Sequence, residues 1–459
     1  MKLAVLGGGG VRSPFLAKYI ANKAEKLKID SVIFMDDNSD KIRIYGGIAK
    51  KAASIINPKL KFEITTDVKE TLKDADFIIT SLRVGGDESR VTDERTALKY
   101  GIVGQETTGA GGFAMALRSI NALIKYCSMA KEYSKPDVKI FNFTNPSGLV
   151  TQALRSLGFD NVYGICDGPY GFLKELASYL NINLDDISVE CFGLNHLSWF
   201  RSIKIKGQEK INEIIEDDRI YEKTEMHLFE KKLVRSLNMI PNAYLYYYYY
   251  REKAVDNILK SQYTRGETIR EINKNMYREL STLNPEKDFE KMLGIFLKYY
   301  SQREKSYMNI ESGSNKPHIE KEITWQDFFD MQGGEGYAGI ALGFIDAIVN
   351  DSKKEMILSV PNNGMIEGLK DDDVVEITCS VDKNGANPVY IGEVPEIQMS
   401  LIRQVKLYER LAVEAIIEKN KEKAVQALMI HPLVNSYSIA SNLIEEYLNE
   451  YIDFVGAWR

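Results

Sequence analysis

Residues 2–10 read KLAVLGGGG, a short apolar run that ends in four glycines. A uniformly apolar run of this length is typical of a strand that is buried on both faces of a parallel sheet. Pro14 and a stretch with helical periodicity follow the glycines. A glycine-rich turn between a strand and a helix lets backbone N–H groups approach a pyrophosphate at the start of the helix. This segment therefore predicts an α/β fold that binds a nucleotide.

The alternation of strand and helix continues beyond this turn. Apolar, strand-like runs follow at residues 31–35, 62–64, 77–80, 138–142, 162–165 and 188–192. Helical patterns separate them, and this order predicts a Rossmann-like, doubly wound parallel sheet that all of these runs join. Charged amphipathic stretches then dominate residues 208–300 and 395–450, with strand-like sequence near 374–380. We expect these later segments to form a second, α+β domain.

Bulk composition limits the class of protein and its partners. The chain of 459 residues is long enough for two domains, and its hydrophobic share of 44% is that of an ordinary folded protein. A net charge of −6 argues against nucleic acid or an anionic membrane as a partner. Four cysteines do not suggest a disulfide framework, and we see neither a cleavable leader nor an apolar run of roughly 18 residues. A cytoplasmic location is therefore expected.

The glycine turn carries the cofactor signal. Gly7, Gly8 and Gly9 are placed to bind the pyrophosphate, although Arg12 stands where the third fingerprint glycine is usual. Asp36 ends the second strand and can accept hydrogen bonds from a ribose diol, which favours NAD over NADP. The alternative is a tight strand–helix turn without a ligand.

Cys166 and His196 are a candidate pair of metal ligands. Each follows an apolar, strand-like run, and chain ends that emerge together from a sheet can aim a thiolate and an imidazole at one point. Such a pair suits a divalent transition metal and leaves coordination positions open for chemistry. The alternative is a buried free cysteine and a structural core histidine. His227, His318 and His431 carry no comparable motif.

Several segments together resemble the NAD- and manganese-dependent glycosidases of glycoside hydrolase family 4. Besides the N-terminal glycines they are residues 82–86 (LRVGG), 104–107 (GQET), 142–146 (NFTNP), 166–169 (CDGP), 193–196 (GLNH), 241–244 (PNAY) and 361–364 (PNNG). Residues 104–112 and 235–241 most resemble the 6-phospho-β-glucosidases of that family. Asp167 departs from them, because the β-type enzymes usually have asparagine after the cysteine and the α-type enzymes have aspartate. The anomeric preference therefore stays open.

The resemblance implies an intracellular enzyme that hydrolyses glucoside or disaccharide 6-phosphates. NAD oxidises C3 of the sugar, a base removes the C2 proton, the aglycone is eliminated, water adds, and the hydride returns. This route is an exception to the usual chemistry of two carboxylates. Cys166 and His196 would hold Mn²⁺ or another divalent transition metal. Tyr244 matches the catalytic base, and Glu106 matches a residue that tunes its basicity. Asp167 is either the acid for the leaving oxygen or a carboxylate that orients a hydroxyl or water.

The resemblance also implies how the phosphorylated sugar is held. Arg90 and Arg265 match arginines that contact the substrate, and guanidinium groups can bind two phosphate oxygens at once. Asn145 matches a residue that contacts sugar hydroxyls. Residues 1–170 would be the NAD-binding domain, and residues 171–459 the domain for substrate binding and oligomerisation as a homodimer or homotetramer. The active site is expected between them.

Three further functions remain as alternatives. A 6-phospho-α-glucosidase of the same family is favoured by Asp167. A simple NAD-dependent 2-hydroxy-acid dehydrogenase, or a protein that only senses NAD, would share the sheet but would not need the Cys166–His196 pair. The run of five tyrosines at residues 246–250 is expected to form an aromatic wall at helical spacing.

Overall fold

The computed structural model describes residues 1–305, 308–313, 324–330 and 336–459. His318 lies outside these residues. Within them, no helix is long and apolar enough to cross a membrane.

The described residues form thirteen strands. They are Lys2–Leu6 (β1), Ser31–Met35 (β2), Lys61–Thr65 (β3), Phe77–Thr80 (β4), Lys139–Asn142 (β5), Val162–Gly164 (β6), Ile187–Leu194 (β7), Leu197–Ile205 (β8), Gln208–Glu209 (β9), Ile240–Pro241 (β10), Lys354–Pro361 (β11), Val374–Asp382 (β12) and Gly385–Pro388 (β13). The predicted bounds of β1, β2 and β4 agree with the structure to the residue.

The described helices cover both halves of the chain. In the first half they are Ser13–Lys23 (α1), Ser39–Lys41 (α2), Gly47–Ile56 (α3), Val68–Leu72 (α4), Gly86–Lys99 (α5), Gly109–Tyr133 (α6), Ser147–Ser156 (α7), Gly168–Leu180 (α8), Ile211–Glu216 (α9) and Ile220–Lys223 (α10). The later ones are Lys231–Leu237 (α11), Tyr246–Tyr249 (α12), Arg251–Lys260 (α13), Arg265–Leu280 (α14), Phe289–Lys305 (α15), Asn309–Ser312 (α16), Trp325–Asp330 (α17), Gly336–Asn350 (α18), Glu396–Glu418 (α19), Lys421–Ile430 (α20), Tyr437–Glu450 (α21) and Ile452–Val455 (α22).

The main sheet has nine strands in the order β13-β12-β11-β6-β5-β4-β1-β2-β3. β1 to β6 are parallel, with Lys2 opposite Ser31 and Leu3 opposite Phe77. The side chains of Leu3, Ala4 and Val5 are fully buried, as expected of a strand covered on both faces. The predicted α/β class, with a Rossmann-like sheet and later α+β sequence, is confirmed.

The prediction that residues 188–192 extend the parallel sheet is wrong. They belong to β7, which pairs antiparallel with β8 in a second sheet of order β10-β8-β7. β7 and β8 are joined by only two residues, Asn195 and His196. Parallel neighbours need a crossover of a dozen or more residues, so this short connection forces a hairpin.

The main sheet takes strands from both sides of residue 170. β11 pairs antiparallel with β6, and β12 and β13 continue outward from β11. Thr378 on β12 also donates from Oγ1 to the carbonyl of Val189 on β7, at 3.0 Å, which ties the two sheets together. The division into residues 1–170 and 171–459 therefore stays a prediction about sequence segments, whereas the main sheet itself is shared by both.

Candidate functional site

The loops after four parallel strands meet at one edge of the main sheet. Gly7 follows β1, Leu82 follows β4, Asn145 follows β5 and Cys166 follows β6. The backbone N–H of Leu82 donates to Oγ1 of Thr144 at 2.9 Å, which joins two of these loops directly. Ligands of open α/β sheets bind at this carboxyl-terminal edge, so the fold itself gathers the predicted site.

The glycine turn is fitted closely to Asp36. The carboxylate accepts from the backbone N–H of Gly9 at 3.0 Å and from that of Asn38 at 3.1 Å. A Cβ at Gly9 would lie 2.8 Å from Oδ2 of Asp36, and Gly7 has a left-handed φ of +97° beside the carbonyl of Ser81. No side chain fits at either position. Asp36 is thereby oriented with lone pairs left over, and the arrangement fits the ribose and pyrophosphate of a dinucleotide.

Arg12 crosses from this turn to the loop after β6. Its Nη1 lies 3.1 Å from Oδ2 of Asp167, and its guanidinium lies 5.4 Å from the ring centre of Phe143 and 5.9 Å from that of Tyr337. From sequence, Arg12 was only a departure from the glycine fingerprint, and no local pattern pointed to a partner 155 residues away. The contact fixes the position of the Asp167 side chain, as the role of orienting a hydroxyl or water requires.

Cys166 and His196 are brought together, but from two sheets rather than one. Cys166 follows β6 of the main sheet, whereas His196 is at the tip of the β7–β8 hairpin with a left-handed φ of 64°. Sγ of Cys166 lies 3.4 Å from Nε2 of His196. Metal–sulfur and metal–nitrogen bonds of about 2.3 and 2.1 Å at a tetrahedral angle would separate these atoms by roughly 3.6 Å. The donor set and its spacing therefore fit a shared metal ion.

Both groups of this pair favour their neutral forms. Their side chains are only 6% and 5% exposed. Burial, helped by the charges of Glu376 and Asp167, raises the pKa of Cys166 well above its usual value. Burial also lowers the pKa of His196 to about 4. A metal cation that binds here would therefore have to displace the thiol proton. Within the described residues, no group of three or more His, Cys, Asp or Glu side chains could hold a metal ion.

Tyr244 lies directly on the ring of His196. The two ring centres are 3.7 Å apart and the planes are within 1° of parallel. The tyrosine belongs to a single helical turn, Ala243–Leu245, and its own backbone N–H donates to Oδ1 of Asn242 at 3.0 Å. The predicted base and the predicted metal ligand are therefore neighbours in space, although 48 positions separate them in the sequence.

The tyrosine run at residues 246–250 anchors this turn rather than forming one flat wall. Its hydroxyl groups contact different parts of the molecule. Tyr248 contacts Oγ1 of Thr108 at 2.6 Å, and Tyr249 accepts from Nε1 of Trp199 at 3.2 Å. Tyr250 accepts from the N–H of Glu230 at 2.9 Å. These contacts hold the segment that carries Tyr244 against three other elements.

The arginine cluster, which we define as Arg83, Arg90, Arg265, Glu94 and Glu106, forms the other side of the pocket. Nε of Arg90 donates to Glu94 at 2.9 Å, and Nη1 of Arg90 lies 3.2 Å from Glu106. Nη1 of Arg83 donates to the second oxygen of Glu106. Arg265 opens α14 and donates to the carbonyl of Arg303 at 3.2 Å. Three guanidinium groups thus face the two carboxylates of the cluster, and a third carboxyl group, Glu311, lines the same cavity.

All members of the cluster except Arg83 line a cavity of about 20 Å³, and Tyr244 lines it as well. Although burial opposes it, the positive charges of Arg83 and Arg90 lower the pKa of Glu106 well below its usual range. Glu311 lines the cavity as well, and its Oε2 has no hydrogen-bond partner within the described residues. Sequence reasoning missed Arg83 and Glu311. Arg83 could have been found, because it stands in the LRVGG segment used for the resemblance.

Asn145 is near this site but lies outside the residues that line the cavity. It is half-buried in the loop between β5 and α7. The first turn of α7, which follows this loop, is tied to the His196 turn, because the N–H of Gly148 donates to Oδ1 of Asn195 at 3.3 Å.

Comparisons with known proteins agree along nearly the whole chain. The model of family 4 glycosyl hydrolases matches residues 2–182, and that of the family 4 glycosyl hydrolase C-terminal domain matches residues 191–434. The 6-phospho-β-glucosidase BglT of Thermotoga maritima is 31% identical over 457 residues, 99% of each chain.

Two solved structures cover the same length. One is the 6-phospho-β-glucosidase from Thermotoga maritima with manganese, NAD⁺ and glucose-6-phosphate, which has a TM-score of 0.81, 30% identity and 99% of each chain covered. The other is a 6-phospho-α-glucosidase from gut microorganisms with NAD and glucose-6-phosphate, with a TM-score of 0.83, 27% identity and 100% of each chain covered.

Proposed function

This chain belongs to family 4 of the glycosyl hydrolases, and we propose that it hydrolyses β-linked glucoside or disaccharide 6-phosphates with NAD and Mn²⁺. The observation that carries this proposal is the stacking of Tyr244 on His196. Nε2 of His196 lies 3.4 Å from Sγ of Cys166, and Tyr244 lines the cavity beside the arginine cluster. The proposed base therefore lies between the proposed metal ligands, one of which it stacks on, and the cavity beside the arginine cluster. The Thermotoga relative with bound manganese, NAD⁺ and glucose-6-phosphate supports the same set of ligands.

The cofactor and the metal each have matching residues. Gly7, Gly8, Gly9 and Asp36 would hold NAD, and the thiolate of Cys166 and Nε2 of His196 would hold Mn²⁺ or a similar ion. When bound, NAD would supply hydride transfer at C3 of the sugar, and the metal ion would stabilise negative charge on the neighbouring oxygen atoms.

The protein residues supply the proton transfers and the orientation. Tyr244 removes the C2 proton, and a nearby cation would make its phenol acidic enough to act as a base. Asp167, held by Arg12, orients a hydroxyl or water near the leaving oxygen. Glu106 holds Arg83 and Arg90 in place next to Tyr244.

The arginine cluster would bind the 6-phosphate. Arg265 and Arg90 both line the cavity, and Arg90 is already bonded to two carboxylates. Both arginines are candidates for the phosphate contact, and Arg265 lies at the first position of α14. Asn145 would contact a sugar hydroxyl from the loop after β5.

A 6-phospho-α-glucosidase is the competing function. Asp167 favours it, and an α-glucosidase is among the similar structures. The β preference is supported by residues 104–112 and by the identity with the Thermotoga enzyme. A 2-hydroxy-acid dehydrogenase would leave the metal pair and the arginine cluster without a role.

Location and assembly belong to the same proposal. The four cysteines are free and buried, which suits a reducing cytoplasm. A homodimer or homotetramer is expected, and light scattering on the purified protein would determine its size.

One assay tests the proposed function. The purified protein is given nitrophenyl α- and β-glucoside 6-phosphates, and the unphosphorylated β-glucoside as a control, with and without NAD and Mn²⁺. We expect release of nitrophenol from the β-anomer of the phosphorylated substrate only when both NAD and Mn²⁺ are present. Hydrolysis of the α-anomer instead would transfer the assignment to the α-type enzymes, and activity without NAD would contradict it.

A further inference from the structure

Thr107 contacts the nitrogen of His196 that faces away from Cys166. Its Oγ1 lies 2.9 Å from Nδ1 of His196 and 2.8 Å from Oε1 of Gln105. The backbone N–H of Thr107 donates to that same Oε1 at 2.6 Å. Thr107 is buried, so these contacts are shielded from water.

The direction of these hydrogen bonds is determined by their donors. An N–H group can only donate, so the atom of Gln105 that faces the backbone N–H of Thr107 must be the amide oxygen. An amide oxygen can only accept, so the single hydroxyl proton of Thr107 points to Gln105. The hydroxyl oxygen is then an acceptor toward His196, and Nδ1 must carry a proton. The other nitrogen, Nε2, is the one 3.4 Å from Sγ of Cys166.

We infer that Gln105 and Thr107 are positioning residues that hold His196 with its proton on Nδ1, so that Nε2 is free to bind the metal ion. Tyr244 fixes the plane of the ring by stacking at 3.7 Å, and Thr107 fixes the tautomer. Ligating histidines usually donate their second N–H to a partner, and those partners matter for affinity. This inference rests on the proposed function, because the tautomer is useful only if a metal binds.

The tautomer can be measured without any metal. The chain contains four histidines, so ¹⁵N-histidine labelling gives few signals, and long-range ¹H–¹⁵N correlation spectra distinguish the two tautomers. His196→Gln identifies the His196 signals. We expect the Nδ1-protonated form in the metal-free wild type and in Thr107→Ser, and a mixture in Thr107→Val. A wild-type ring protonated on Nε2 alone would overturn the inference, whatever the folding of the variants.

The affinity for Mn²⁺ gives a second readout that does not depend on activity. Electron paramagnetic resonance of free Mn²⁺ measures binding to the NAD-free protein. Thr107→Val should bind about 10–100-fold more weakly, and Thr107→Ser should restore most of the affinity. The Mn²⁺ affinity of Gln105→Met should lie between those of the wild type and Thr107→Val, because the Thr107 hydroxyl is then able to turn its proton toward Nδ1.

Thr71→Val is the matched control. It removes a buried hydroxyl on α4 that donates to the carbonyl of Asp67 at 2.7 Å rather than to His196. Its Mn²⁺ affinity should equal that of the wild type. Equal affinity in Thr107→Val and the wild type would overturn the inference. A wild type that does not bind Mn²⁺ would instead refute the proposed metal, while the tautomer spectrum would still decide the role of Thr107.

Discussion

The two sides of the pocket handle charge in opposite ways. On the metal side, burial drives Cys166 and His196 toward their neutral forms. On the side of the arginine cluster, burial is outweighed by close ion pairs, and Glu106 stays ionised. The difference teaches that burial alone does not set protonation; the charges within about 4–6 Å decide it. A cation bound at Cys166 would therefore have to displace the thiol proton, whereas the groups of the arginine cluster are already charged.

The largest effect is expected from removing the metal side. Cys166→Ser should abolish hydrolysis, because a neutral hydroxyl is a poor substitute for a thiolate ligand. The wild type treated with a chelator should also lose hydrolysis and should regain it when Mn²⁺ is added, as measured by nitrophenol release. Cys127→Ser, which alters a buried free cysteine in α6, serves as the control. Full activity after exhaustive chelation would contradict the metal role.

The next effect is expected at the boundary between the two sides. Tyr244→Phe should lower kcat by about 10²–10⁴, the range for loss of general base catalysis, while KM changes little. The kinetic isotope effect of a substrate deuterated at C2 should grow in this variant. Tyr249→Phe, which loses only the contact with Trp199, is the matched control. No isotope effect and no exchange of the label in either protein would argue against elimination.

A smaller effect is expected on the anion side. Arg265→Ala should raise KM for the phosphorylated substrate roughly 10–150-fold. This corresponds to a loss of about 1.5–3 kcal/mol of binding free energy, as for lost hydrogen bonds to a charged group. The preference for phosphorylated over free glucoside should fall equally. Arg270→Ala on the same helix removes a pair with the exposed Glu88 and should leave KM unchanged. If both variants keep the preference, the phosphate is bound elsewhere.

The smallest effect on activity is expected from replacing Glu376, which lies beside the hairpin that carries His196. Burial raises its pKa to about 7, against hydrogen bonds from Asn195 and Ser198. A carboxyl pKa that is higher in the folded state favours folding at low pH, and this contribution is lost as pH rises from the unfolded value of about 4.3 through 7. The loss is on the order of 3 kcal/mol.

Urea unfolding at a series of pH values tests this. Glu376→Gln should flatten the decline in the free energy of unfolding between pH 4 and 7, because the amide does not titrate. An identical decline in both proteins would show that burial does not control the charge on this side.

Much of the fold was predictable because it follows from local rules. Apolar runs predicted β1, β2 and β4 with their bounds, and the alternation of elements predicted the parallel sheet. Candidate residues at strand ends, such as Asp36 and Cys166, were also found this way. The hairpin that carries His196 was misassigned, since an apolar run alone does not tell which sheet a strand joins.

Sequence by itself therefore predicted most element types and the family resemblance, and it supplied the candidates for the metal pair, the base and two arginines. Only the tertiary structure decided their partners: Arg12 with Asp167, Arg83 with Glu106, and Thr107 with His196. These three contacts join positions that are 155, 23 and 89 residues apart in the sequence, respectively. Hydrogen bonds and ion pairs act over a few ångströms in space, and spacing along the chain carries that information only within one helix turn or one strand pair.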